Sequence, residues 1–127
     1  IIPVNPPVST VEITGRELRA MMEENLERTF ARDPYDQMGG YVKRCAGINL
    51  YCKLENAPGL RIQEFFAGGK RLDPDAVYRT AFVTAQGVPA SYGENREDLD
   101  IRAIAALERY LARGPVSADL RGSVVAV

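Results

Sequence analysis

Within residues 8–31 the spacing of apolar side chains switches from a period of two to a period near 3.6, and this switch constrains the fold most. "VSTVEITG" (Val8–Gly15) alternates in the manner of a strand. From Gly15 onward Leu18, Met22, Leu26 and Phe30, with Met21 and Asn25 beside them, keep helical spacing. Thr14 and Glu17 are spaced as a capping box, and Asp33-Pro34 supplies the stop. The pattern predicts an amphipathic helix over residues 15–31. Its core face carries the Met pair and Phe30; Arg16, Arg19, Glu23, Glu24, Glu27 and Arg28 form a polar face that needs no function.

Farther along, Ile48, Leu50, Cys52 and Leu54 alternate with Asn49, Tyr51, Lys53 and Glu55, a half-buried strand closed by the turn "ENAPG". "LRIQEFF" reads as the next strand, "AGG" as a hairpin turn and "KRL" as a short return. "LDPD" is a turn with Pro74 where a fixed φ suits it, and "AVYRTAFVTA" reads as a central strand. "QGVPASYGENRED" reads as a loop. A second helix is expected from Asp98 to Ala112, with Ile101, Ile104, Leu107 and Leu111 on one face and Gly114-Pro115 as its stop. "GSVVAV" closes the chain as a strand. The order βαβββ(loop)αβ implies an α/β or α+β fold: one domain over residues 1–127, with a mixed β-sheet and two main helices.

Composition narrows the function by exclusion. A formal net charge of −1 gives no electrostatic case for nucleic acid or an anionic membrane. No apolar run approaches a membrane span, no signal peptide is visible, and a start at "IIPVNPPV" without Met reads as a piece of a longer protein. The chain has no histidine, the residue on which general bases, zinc sites and nucleophilic triads most often draw, so catalysis by this chain alone is not expected. Along one strand Cys45 and Cys52 would stand about 23 Å apart, whereas a disulfide needs Cα atoms within about 7 Å. They read as small buried hydrophobes. "AGGK" is too short for a phosphate loop, and the acids of "GENREDLD" suit a helix N-terminus better than a calcium loop. Two loops, residues 32–44 and 86–98, are left unexplained by packing, and loops on a rigid frame are where binding tends to sit.

"TVEITGREL", then "RLDPDAVYRTAF", a Gly-containing loop and a closing "ALERYL" helix together resemble the C-terminal domain of the 5′-nucleotidases over nearly the whole chain. The resemblance implies a secreted or periplasmic hydrolase of nucleotide catabolism or sulfur oxidation. Its upstream metallophosphoesterase domain would hold two divalent metal ions, and this domain would bind none. In that family two Phe rings clamp the nucleobase; the first position falls at Cys45, the neighbouring base-contacting Asn at Gly47, and the second ring near Ile101. The family's "GGDGY" loop is replaced by "GVPASYG".

"FARDPYDQMGGYVKRCAGINLYC" is similar to the equivalent loop of the bacterial thiosulfohydrolase branch. Asp33-Pro34-Tyr35, Gln37, Gly39-Gly40, Val42 and Arg44 keep that pattern, Lys43 adds a charge, and Cys45-Ala46-Gly47 keeps small residues. The likeness implies cleavage of sulfate from a sulfur adduct on a partner protein's peptide arm. The expected substrate-binding residues are Asp36, Gln37, Gly39, Gly40, Tyr41, Arg44, Cys45 and Gly47, with Ser91 and Tyr92 from the second loop. Arg44 would meet the anion and Tyr92 would replace lost aromatic surface. The expected partners are the upstream domain and a small anionic substrate or carrier-protein arm, without nucleic acid or membrane. Two other readings stand beside this one: a stand-alone binding domain without catalysis, and a conventional nucleotidase domain with an atypical base pocket.

Overall fold

The computed structural model describes residues 4–116 and 123–127. In chain order the elements are β1 (Pro7–Thr14), α1 (Gly15–Thr29), β2 (Ile48–Cys52), β3 (Ile62–Ala67), β4 (Lys70–Arg71), β5 (Val77–Phe82), β6 (Glu94–Arg102), α2 (Ala103–Leu111) and β7 (Val124–Ala126). They divide into two compact units, Ile1–Thr14 with Val77–Leu120, and Gly15–Ala76 with Arg121–Val127. Two helices on two sheets make this the α+β class expected.

The first unit is an antiparallel sheet in the order β5-β1-β6. The run expected at its centre holds β5, an edge strand with Val77 exposed and Val83 exposed just past its end, and β1 takes the middle. The centre was hidden because β1 buries Ser9 and Thr10 beside Val11 and Ile13. Those hydroxyls keep partners across the sheet, Ser9 on Asp98 and Thr10 on Glu97, so burial leaves them satisfied. The other neighbour, β6, extends through "ENREDLDIR", read from sequence as loop and helix start. Acidic residues and Asn disfavour strands; here cross-strand pairs hold them instead. Arg79 Nη2 donates to Glu97 Oε1 at 2.8 Å, and Asn95 Nδ2 donates to Glu12 Oε2 at 2.7 Å. The second helix therefore begins at Ala103, and its expected apolar face is not buried: Ile104, Leu107 and Leu111 are exposed and Ile101 is half-buried in β6.

The second unit carries the sheet β4-β3-β2-β7, antiparallel except for β7, which runs parallel to β2. The β3–β4 turn is the expected hairpin, with Gly68 and Gly69 both at positive φ. Of the final strand expected over residues 122–127, Gly122 lies outside the described residues and β7 covers Val124–Ala126. Leu50, Cys52, Ile62 and Phe65 are buried here, with Leu18, Met21, Met22 and Leu26 of α1; Phe30 is not, being 40% exposed.

Two contacts fix α1 in this unit. Its N-terminus rests on the "LDPD" turn, where Gly15 N donates to Ala76 O and Arg16 N to Pro74 O, both at 3.0 Å. A Cβ at Gly15 would stand 2.1 Å from Asp73 O, so no other residue fits there. Halfway along, Glu23, one of the residues read as a polar face, is buried. Its carboxylate accepts the N–H of Ile62 at 2.8 Å and of Arg61 at 3.1 Å, while Arg19 donates to Ile62 O. Thus α1 side chains occupy the start of β3, where β4 provides no partner.

Glu23→Ala would leave two buried amide donors without an acceptor, and is expected to lower unfolding free energy by about 2–4 kcal/mol. Urea unfolding measures this; a loss below about 0.5 kcal/mol would contradict the assigned role.

Candidate functional site

Segment 30–47 leaves the end of α1 and enters β2 through a succession of short-range contacts. Asp33, extended as the residue before a proline must be, accepts the Tyr35 N–H at 2.9 Å and caps a single 3-10 turn over Pro34–Asp36. Gln37 Nε2 donates to Ala31 O at 3.0 Å, and Met38 N donates to Arg28 O at 3.2 Å, folding the chain back along α1. Arg28 is itself held by Glu24 at 2.7 Å and touches the Met38 sulfur. Gly39, at φ +76, permits the reversal that sends residues 41–45 back towards β2.

The sequence-predicted residues of this segment take different roles. The Gln37 side chain is committed to Ala31 O and shapes the loop. Asp36 is exposed. Gly39 and Gly47 need their glycine for positive φ; Gly40 does not, and a Cβ there would meet nothing. Tyr41 is 53% exposed, with Tyr35 and Met38 also open to solvent. Arg44 is exposed, and among the described residues its side chain has no hydrogen bond or ion pair. Cys45 is half-buried; its N–H reaches Ser123 Oγ at 3.4 Å and its thiol faces Lys43 O at 3.8 Å. Both cysteines are free, and Cys52 is buried as expected.

Ser91 and Tyr92 belong to the other unit. Ser91 is exposed and Tyr92 half-buried, on a loop organised by a residue that sequence reasoning passed over. Arg96 donates to Val88 O, Pro89 O and Tyr92 O at 2.9–3.2 Å and lies over the Phe82 ring at 4.7 Å. Gly93 closes the loop against β1, where a Cβ would come within 2.6 Å of Glu12 O. Asn25, Thr29 and Ser123, which hold residues 41–45, were also passed over. The one available signal was Asn25 itself, a poor helix former in mid-helix.

Two clefts lie nearby in the second unit. One of about 900 Å³ is lined by α1 and the β3–β4 hairpin, among them Arg16, Arg28, Phe65 and Arg71, and by none of the predicted site residues. The other, about 740 Å³, takes only Asp36 from the prediction, with Phe30, Asp33, Leu54 and Arg61. Among the described residues no three His, Cys, Asp or Glu side chains are grouped to share a metal ion.

Burial pushes the Cys45 thiol above the ordinary thiol range, and the Lys43 charge offsets part of this. Burial also lowers the Lys43 ammonium. A thiol raised by folding contributes stability below its unfolded value and loses it as pH rises through the folded one. The rate of Cys45 alkylation by iodoacetamide is thus expected to climb with a midpoint above the roughly 8.5 of free cysteine. A midpoint at or below that value would contradict the burial.

The model of a protein family described as the 5′-nucleotidase C-terminal domain matches residues 1–85. Among solved structures, the chain is similar to the sulfate thiohydrolase SoxB of Thermus thermophilus, in complex with glycerol (23% identity, TM-score 0.79, covering 97% of this chain and 23% of that one). It is also similar to a 5′-nucleotidase precursor from Thermus thermophilus, at 19% identity and TM-score 0.75, covering 100% of this chain and 26% of the other. The NAD nucleotidase of Haemophilus influenzae follows, at 15% identity and TM-score 0.70 over 98% of this chain and 25% of that one. The chain thus spans about a quarter of the length of these structures. No curated protein matches it significantly. The family pattern, which runs through the "ITG" and "LDPD" segments that meet at Gly15, covers well over half of the sequence: the chain belongs to the 5′-nucleotidase C-terminal domain family.

Proposed function

We propose that this domain recognises the substrate of a two-metal hydrolase of the 5′-nucleotidase superfamily, and that the substrate carries a small sulfur-bound anion instead of a nucleobase. The metal ions and the hydrolytic step are assigned to a metallophosphoesterase domain elsewhere in the full-length protein, which would be periplasmic or secreted. The observation that carries this reading is the pair Arg44 and Cys45. Where the resemblance puts a stacking ring stands a half-buried thiol, and next to it an exposed guanidinium without an ion partner among the described residues. Aromatic stacking contributes about 1–3 kcal/mol per base, which Cys45 cannot supply. A guanidinium fork matches the oxygens of sulfate or phosphate, and small neighbours leave room for an extended peptide arm to reach them.

The full-length protein should release sulfate from an S-sulfocysteine peptide with kcat/KM at least about tenfold above phosphate release from AMP. Arg44→Ala should lower the first value by about 10–100-fold, the loss of a charge-assisted hydrogen bond. Preference for AMP, with adenosine binding weakened by Cys45→Arg, would replace this reading with a nucleotidase whose base pocket is atypical. Inactivity on both would favour a binding domain without catalysis.

A further inference from the structure

We propose that Asn25 and Thr29 of helix α1 are positioning residues for segment 41–45, setting which of its side chains face the substrate; this rests on the reading of that segment given above. The Asn25 amide makes two contacts with it. Oδ1 accepts the Lys43 N–H at 2.8 Å, and Nδ2 donates to Tyr41 O at 3.3 Å. One residue of a parallel strand engages its neighbour in this way, bonding the C=O of one residue and the N–H two positions on. A side chain of α1 thus stands in for a strand that the segment lacks, since β2 begins only at Ile48. Thr29 Oγ1 adds a second donor to the same Tyr41 carbonyl at 3.1 Å.

The consequence lies in register. The Asn25 contacts at Tyr41 and Lys43 are those of an extended backbone, in which alternate side chains face opposite ways; that would put Val42 and Arg44 on one side and Tyr41, Lys43 and Cys45 on the other. A slip of one residue would exchange the Arg44 guanidinium for the Cys45 thiol. Between the reversal at Gly39 and the Ser123 contact at Cys45, Asn25 and Thr29 hold the backbone at residues 41 and 43 to α1. Asn25 is a poor helix former, and its place in mid-helix is explained by this role.

Alkylation of the full-length protein by iodoacetamide separates local positioning from general loosening. Cys45 and Cys52 fall on one tryptic peptide, Cys45–Lys53, where one modification is distinguished from two by mass and placed by fragmentation. In Asn25→Ala, Cys45 should react about tenfold faster or more while Cys52 keeps its native rate. Thr29→Val should produce a smaller acceleration. Asn25→Asp, which retains the acceptor for Lys43 N–H, should restore part of the native rate. In the same variants KM for the S-sulfocysteine peptide should rise at least about threefold with kcat within about twofold. A Cys45 rate within twofold of native, or both thiols accelerating together, would overturn the positioning role. Faster Cys45 alkylation with an unchanged KM would overturn instead the assignment of this segment to the substrate.

Discussion

A single buried carboxylate anchors the unit that carries the candidate site. Glu23 accepts two amide N–H groups at the start of β3 and thereby fixes the middle of α1 against the sheet. Two residues on, about 200° around the helix, Asn25 reaches the segment that enters β2. One helix therefore grips β3 with one face and segment 41–45 with another. Because β2 pairs with β3 from Ile48 to Cys52, the two grips are linked through the sheet as well as through the helix. The cost of this arrangement is visible beside it. Arg61, whose backbone Glu23 holds, buries a guanidinium 3.0 Å from Glu27, without hydrogen-bond alignment, and its Nε and Nη1 find no partner among the described residues.

The motifs that mark the family hold this framework together. Gly15 of "ITG" is required because Asp73 of "LDPD" lies against it, and Arg16 pairs with Asp75 of the same turn. Sixty residues apart in sequence, the two motifs are in contact. That contact says nothing about the substrate. The loops that would say something are held by residues outside any motif, Asn25 and Thr29 in one unit and Arg96 in the other.

What could be read from the sequence follows from how each element is stabilised. Helix α1, β2 and the β3–β4 hairpin were legible because burial and turn geometry hold them, and both leave periodic traces. Strand β6 was not, because Arg79–Glu97 and Glu12–Asn95 pairs hold a charged strand, and those pairs join residues distant in the chain. The burial of Glu23 was invisible for the same reason: its partners are backbone amides 38 and 39 positions away. At the candidate site, the loop over residues 32–44 stood out as unexplained by packing and then through its likeness to a family, and the structure adds that Gly39 and the nearby Gly47 are conformational necessities. The residues that position it left one trace only, an asparagine where a helix disfavours one.

Hydrogen–deuterium exchange of the full-length protein, with and without a saturating S-sulfocysteine peptide, tests the central claim most directly. Slower amide exchange across residues 36–47, with the β3–β4 hairpin at 67–72 unchanged, is the predicted result. Protection that appears elsewhere in this domain and leaves residues 36–47 unaffected would contradict the claim that this segment meets the substrate.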